Sequence, residues 1–168
     1  MDGTAYTILA VVRRNSGRDS NYFVNTGGSN CNPTFGTTCT SNTVLHLGWV
    51  GARAVRLGQY DRDVTLDAVP AFSTSPPLTL IQAVSGPGTG KLVAVLEPGF
   101  NQAAIDPRVT ALLATSGGLF IGGSPFPGPV PDWHFTGDIF AILIYTRELS
   151  GADLAVAQEY LRLRYGPA

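Results

Sequence analysis

The densest group of side chains able to hold a ligand is acidic: Asp61, Asp63 and Asp67 fall within seven residues, with Arg62 and Tyr60 beside them. In an extended segment alternate residues share a side, so Asp61 and Asp63 point together. Ca²⁺ takes several oxygen ligands, and two or three carboxylates with loop carbonyls would make such a site. Arg62 argues against it, and Asp also occupies solvated turns readily, so the segment reads as a turn and no cofactor is assigned. Trp133-His134 forms a second candidate, because an exposed indole can stack on a sugar ring or anchor a protein contact. The bland reading has Trp133 capping the core, and Tyr60 faces the same choice. Tyr60, Asp61, Asp63, Trp133 and His134 are therefore the candidate ligand-binding residues.

Other chemistries fare worse. Ser85-Gly-Pro-Gly-Thr-Gly-Lys91-Leu92 has the glycines of a phosphate loop but lacks its first glycine and the Ser or Thr that follows the lysine, so it reads as a hairpin loop. Glycoside hydrolysis needs two carboxylates flanking the bond. The only glutamates are Glu97, Glu148 and Glu159, with the last two placed in a helix and its entry. His46 and His134 are the only imidazoles, and neither adjoins a serine in a nucleophile context. The chain is read as a non-enzyme.

Cys31 and Cys39, with seven residues between them in a polar loop, suit a local disulfide, which would favour an extracellular or cell-surface setting. A formal charge of −1 and basic residues scattered along the chain exclude the basic stripe that nucleic acid requires. No apolar run approaches the roughly 20 residues of a membrane helix, so no membrane insertion is expected. Length and 44% hydrophobic content fit one domain over residues 1–168, while 20 glycines and 12 prolines favour short strands joined by turns.

The elements that must position the candidates follow from periodicity. Tyr6–Val12 and Asn21–Asn25 read as strands joined by a turn over 14–20, forming a hairpin. Over Thr43–Val50, Leu45, Leu47 and Trp49 alternate with Val44, His46 and Gly48; Ala52–Tyr60 can pair with this strand across Gly51. Leu78–Val84 and Lys91–Leu96 flank the glycine-rich loop. Pro98–Arg108 reads as irregular, Thr110–Thr115 is ambiguous, Leu119–Gly122 is a short strand, and Ser124–Pro131 is a proline-rich loop. Ile139–Tyr145 has the length and β-branching of a strand buried on both faces. Ser150 and Asp153 then signal a helix start, Leu154, Ala157 and Leu161 recur at helical spacing, and Gly166-Pro167 ends it. Fold class is all-β: a two-sheet antiparallel sandwich with one C-terminal helix.

Phe135-x-Gly137-Asp138-Ile139, the apolar strand to Tyr145, Arg147-x-Leu149-Ser150 and the helix ending Arg164-Tyr165-Gly166 resemble the closing signature of the concanavalin A-like lectin/glucanase superfamily. Within it the chain is most similar to laminin-G-like jelly-roll domains. Tyr6–Arg13, Leu45–Gly48 and Leu119–Gly123 resemble earlier strands of that family. The resemblance implies a jelly-roll sandwich whose concave face or rim loops bind a glycan or a protein surface. It also implies a strand before Tyr6 that this chain lacks, leaving an early edge through which copies could self-associate. The family often has an acidic residue where this chain has Ala141, so no metal or catalytic role is carried over. The favoured function is a non-enzymatic recognition module. Its alternative is a structural or assembly subunit of an extracellular appendage, filament or virion, followed by a glycoside hydrolase of the same fold.

Overall fold

The computed structural model describes residues 5–26, 44–59, 63–108, 118–123 and 134–166. Five strands form sheet A in the order β10-β1-β6-β7-β8, and five form sheet B in the order β5-β4-β3-β2-β9. In chain order these are β1 (Tyr6–Arg14), β2 (Asn21–Thr26), β3 (His46–Val50), β4 (Ala54–Gly58), β5 (Val64–Asp67), β6 (Thr79–Gly86), β7 (Gly90–Glu97), β8 (Phe100–Asp106), β9 (Leu119–Ile121) and β10 (Gly137–Tyr145). Helix α1 (Gly151–Tyr165) closes the chain. Every pairing is antiparallel. The expected two-sheet sandwich with a C-terminal helix is the fold.

Two apolar layers hold it together, because a sheet must bury at least one face. Between the sheets lie Ile8, Ala10, Val12, Phe23, Leu47, Trp49, Leu57, Ile81 and Val95. Beneath α1, on the outer face of sheet A, Leu9, Val11 and Leu80 meet Leu149, Ala157 and Leu161. Strand β1 thus buries both faces, whereas the apolar run expected to do so, β10, is only half-buried. The reason is lateral: β10 presents Ile142 and Ile144 to one layer and Leu143 and Tyr145 to the other, but it is an edge strand.

Three further expectations are corrected. Strands β1 and β2 do not form a hairpin; they lie in opposite sheets. The early strand is no edge, since β1 pairs with β10 on one side and β6 on the other, so self-association through it is ruled out. The segment 98–108, expected to be irregular, contains β8, paired residue by residue with β7. Its polar, largely exposed residues Asn101 and Gln102 hide the strand from a hydrophobic pattern. The hairpins β3–β4 and β6–β7 form as expected.

Helix α1 begins as the sequence indicates. The Ser150 hydroxyl accepts from the Asp153 N–H at 3.2 Å, Asp153 forms an ion pair with Arg147, and Gly166 ends the helix at φ 67°. Thr7 ties its entry to β1: its hydroxyl donates to the Arg147 carbonyl and accepts from the Leu149 N–H. Ser150→Ala is expected to cost about 1 kcal/mol by orphaning a first-turn N–H. Chemical denaturation would show it as a lower midpoint at unchanged slope.

Candidate functional site

Strand alternation gives sheet B two unlike faces. Leu47, Trp49, Val55, Leu57, Val64 and Leu66 enter the core. Their alternates project outward, and register sets them in two rows: Asn25, His46 and Gly58 in one, Tyr22, Gly48, Arg56 and Thr65 in the other. This face carries His, Arg, Tyr and Asn beside two glycines, and of these Tyr22, Asn25 and His46 are buried while Arg56 is partly exposed.

The imidazole of His46 occupies the space a Cβ would take at Gly58. The ring of Tyr22 lies against it, with centroids 4.7 Å apart and tilted by 58°. His46 is buried, and loss of hydration pushes its pKa down to about 4; the Asp63 carboxylate opposes that shift and Arg56 adds to it. Burial likewise raises the Tyr22 phenol, against the attraction of Arg56. Both rings are uncharged at neutral pH.

Charge on this face is carried by Arg56 and Asp63. The Arg56 Nε donates to Thr65 Oγ1 at 3.1 Å, and its Nη1 lies 3.4 Å from Asp63 Oδ2. Asp63 Oδ1 accepts the Gln59 N–H at 3.1 Å, closing the β4–β5 connection, while Oδ2 stands 4.0 Å from His46 Nε2. The guanidinium is therefore fixed at two points on a side chain that is 31% exposed, leaving N–H groups for a partner. Asp63 also borders a cleft of about 280 Å³ between the start of β5 and the end of β8, which Asp106 and Arg108 line. Hydrogen bonds from Arg108 hold the Asp106 carboxyl down to about 2.

Of the sequence candidates, Asp63 sits in this cluster. His134 is exposed and precedes Phe135, whose ring stacks on Trp49 at 6.1 Å and meets Phe23 edge-on at 5.8 Å. The Phe135 N–H donates to Gly122, just after β9, whereas Asp63 adjoins β5 at the opposite edge of the sheet. Four interstrand steps, about 19 Å, separate those edges, so the two candidates are not brought together. Tyr60, Asp61, Trp133, Cys31 and Cys39 lie outside the described residues. Among the described residues no group of three or more His, Cys, Asp or Glu could hold a metal ion.

Sequence reasoning passed over Arg56, Tyr22, Asn25 and Thr65. The signal was present in the β3–β4 hairpin: counting outward from Ala52 pairs His46 with Gly58 and Gly48 with Arg56. The glycine-rich loop is shut by the chain itself, because Glu148 Oε2 accepts the Gly88 N–H at 2.9 Å and its side chain packs on Gly86. Glu97 accepts the Thr79 hydroxyl and Glu159 pairs with Arg162, so each glutamate is engaged on a different element.

The fold and this face define an antiparallel β-sandwich with a helix on one sheet and a polar outer surface on the other. No protein-family profile matches the chain, and no curated protein matches its sequence. Solved structures do match. The CBM40 module of the Ruminococcus gnavus IT-sialidase, solved with α2,6-sialyllactose, superposes with a TM-score of 0.62 at 17% identity, covering 92% of this chain and 83% of that one. The same module with α2,3-sialyllactose gives 0.62 and 17% over 93% of this chain and 83% of that one. The enzymatically active domain of bacteriophage CBA120 tailspike protein 2 gives 0.60 and 16%, over 96% of this chain and 25% of that chain. At these identities the likeness is one of fold.

Proposed function

We propose that this chain is a non-catalytic carbohydrate-binding module that takes a glycan on the outer face of sheet B. The observation that carries the reading is the Arg56 guanidinium, held by Thr65 and Asp63 and still open to a partner. A fixed planar donor loses little freedom on meeting a sugar carboxylate or a pair of hydroxyls. The likeness of fold to a module seen with sialyllactose supports this choice of ligand class. Sugars also need an aromatic platform. Tyr22 is buried, so Tyr60 is proposed to supply it, with Asp61 and Asp63 as polar contacts beside Arg56, while Trp133 with His134 is proposed as a separate contact reached by a longer glycan. A secreted or surface setting goes with this reading, and among the described residues no helix is long and apolar enough to cross a membrane.

Calorimetric titration with α2,3- and α2,6-sialyllactose and a panel of neutral oligosaccharides tests it. At least one glycan should bind, and Arg56→Ala should raise its Kd by about tenfold or more while the melting transition is retained. Absence of binding across the panel, or an unaltered Kd in the variant, counts against the reading.

A further inference from the structure

We propose that two copies of this chain pair through the free edge of β10, making a continuous sheet across a two-fold axis. Among the described residues nothing pairs with the outer side of this nine-residue strand. An apolar edge with open N–H and C=O groups is a template for another strand. The other edge of sheet A, β8, carries exposed Asn101 and Gln102, and the edges of sheet B, β5 and β9, have only four and three residues, so β10 is the edge suited to pairing.

Register identifies the partner as a second copy. A two-fold axis perpendicular to the sheet keeps each face continuous, which requires residues directly opposite one another to share a face. From Ala141 onward Leu143 and Tyr145 lie on the helix side, and Ile142 and Ile144 on the core side. An axis through Leu143 satisfies this: Leu143 faces its own equivalent, Ile142 faces Ile144, and small Ala141 faces large Tyr145. Toward the N-terminal end β10 is bulged, since Val11 pairs with Ala141 and Val12 with Ile139, leaving Phe140 as an extra residue. Counting past that residue, Asp138 falls opposite Arg147 of the second copy, which stands in the bend two residues beyond the end of β10. Symmetry repeats the match, so opposite charges meet at both ends of the seam. A bulge that elsewhere deters pairing here brings the charges into register.

The surface beside the strand is built the same way. A groove of about 420 Å³ runs between α1 and β10, lined by Leu143, Tyr145, Leu149, Val156, Ala157 and Tyr160. It lies on the β10 side of the helix, whereas the groove on the other flank is lined by Leu80 and Leu96. Val156 and Tyr160 are 72% and 56% exposed, an apolar pair left uncovered along the proposed seam. Two-fold pairing sets both helices on one face with their grooves toward each other, and keeps Arg56 of sheet B away from the seam on each copy.

Sedimentation and light scattering from about 1 to about 200 µM, with both variants checked by thermal melting, test the proposal. The expected result is a reversible dimer, with amide exchange over 141–145 slowing as concentration rises. Arg147→Asp should weaken it by about tenfold or more by opposing two carboxylates across the seam. Adding Asp138→Arg should restore it, although both intrachain ion pairs, Arg13–Asp138 and Arg147–Asp153, are then broken. A monomer at every concentration overturns the proposal and leaves the groove to another occupant. So does a dimer indifferent to Arg147→Asp, or one that the second substitution fails to rescue.

Discussion

Gly48→Ala is expected to cost about 3 kcal/mol, a large share of the stability of a domain of this size. The cause is steric. A Cβ at Gly48 would overlap the backbone carbonyl of Asn21 and stand 2.6 Å from Tyr22 Cα. Those atoms belong to β2 where its register with β3 shifts, placing Phe23 as an extra residue between the Tyr22–Gly48 and Val24–Leu47 pairs. Neither strand can retreat, because Phe23, Val24 and Leu47 are fully buried between the sheets. Gly51 supplies the control. At φ 63°, with nothing within 4 Å of the place a Cβ would take, it asks only for a left-handed conformation, and Gly51→Ala should cost about 1 kcal/mol. Urea unfolding of both variants separates the cases. Equal midpoints would mean that β2 does not press on Gly48.

The contrast also marks what a sequence can and cannot disclose. Leu45, Leu47 and Trp49 announce β3 because a strand covering a core must alternate, and Ser150 with Asp153 announces α1 because caps are local. Neither signal needs a distant partner. The fate of β1 does: its apolar run is equally compatible with a hairpin to β2 and with a central place between β10 and β6, and only the packing of the whole chain decides. Strand β8 was hidden for the opposite reason. As an exposed edge it covers little core, so Asn101 and Gln102 meet no penalty and leave no pattern.

The candidate site follows the same division. Asp63 stood out as part of an acidic cluster, a feature of composition. Arg56 stood out in no window, because its meaning comes from lying across the strands from Thr65 and Gly48. The two glycines of this face serve unlike ends: Gly48 admits the backbone of β2, and Gly58 admits the ring of His46. Polar side chains are thereby packed on a face that alternation alone would leave to water. That packing makes the face sensitive to acid.

Between pH 6.5 and 4 the protein is expected to lose about 3 kcal/mol of stability through burial of His46 beside Asp63 and Arg56, which lowers its pKa from 6.5 to about 4. Above pH 6.5 the residue is neutral in both states and imposes no penalty. As pH falls through that value the unfolded chain takes up a proton, while the buried imidazole between Tyr22 and Gly58 does not until near pH 4. The unfolded state then binds more protons, so stability declines with falling pH; below about 4 both states are protonated and this contribution levels off. Asp106 and Asp138, whose carboxyls are held low by Arg108 and Arg13, act in a separate, more acidic window. Their stabilisation is present above their ordinary range and lost as pH drops through their lowered values. Denaturation curves recorded every half unit from about pH 3 to about pH 8 should therefore show a slope between 6.5 and 4 that His46→Gln removes. The variant should be less stable at pH 7, since glutamine does not fill the space over Gly58 as the ring does. A slope that survives His46→Gln would assign the acid sensitivity to other groups and leave His46 without the part given to it here.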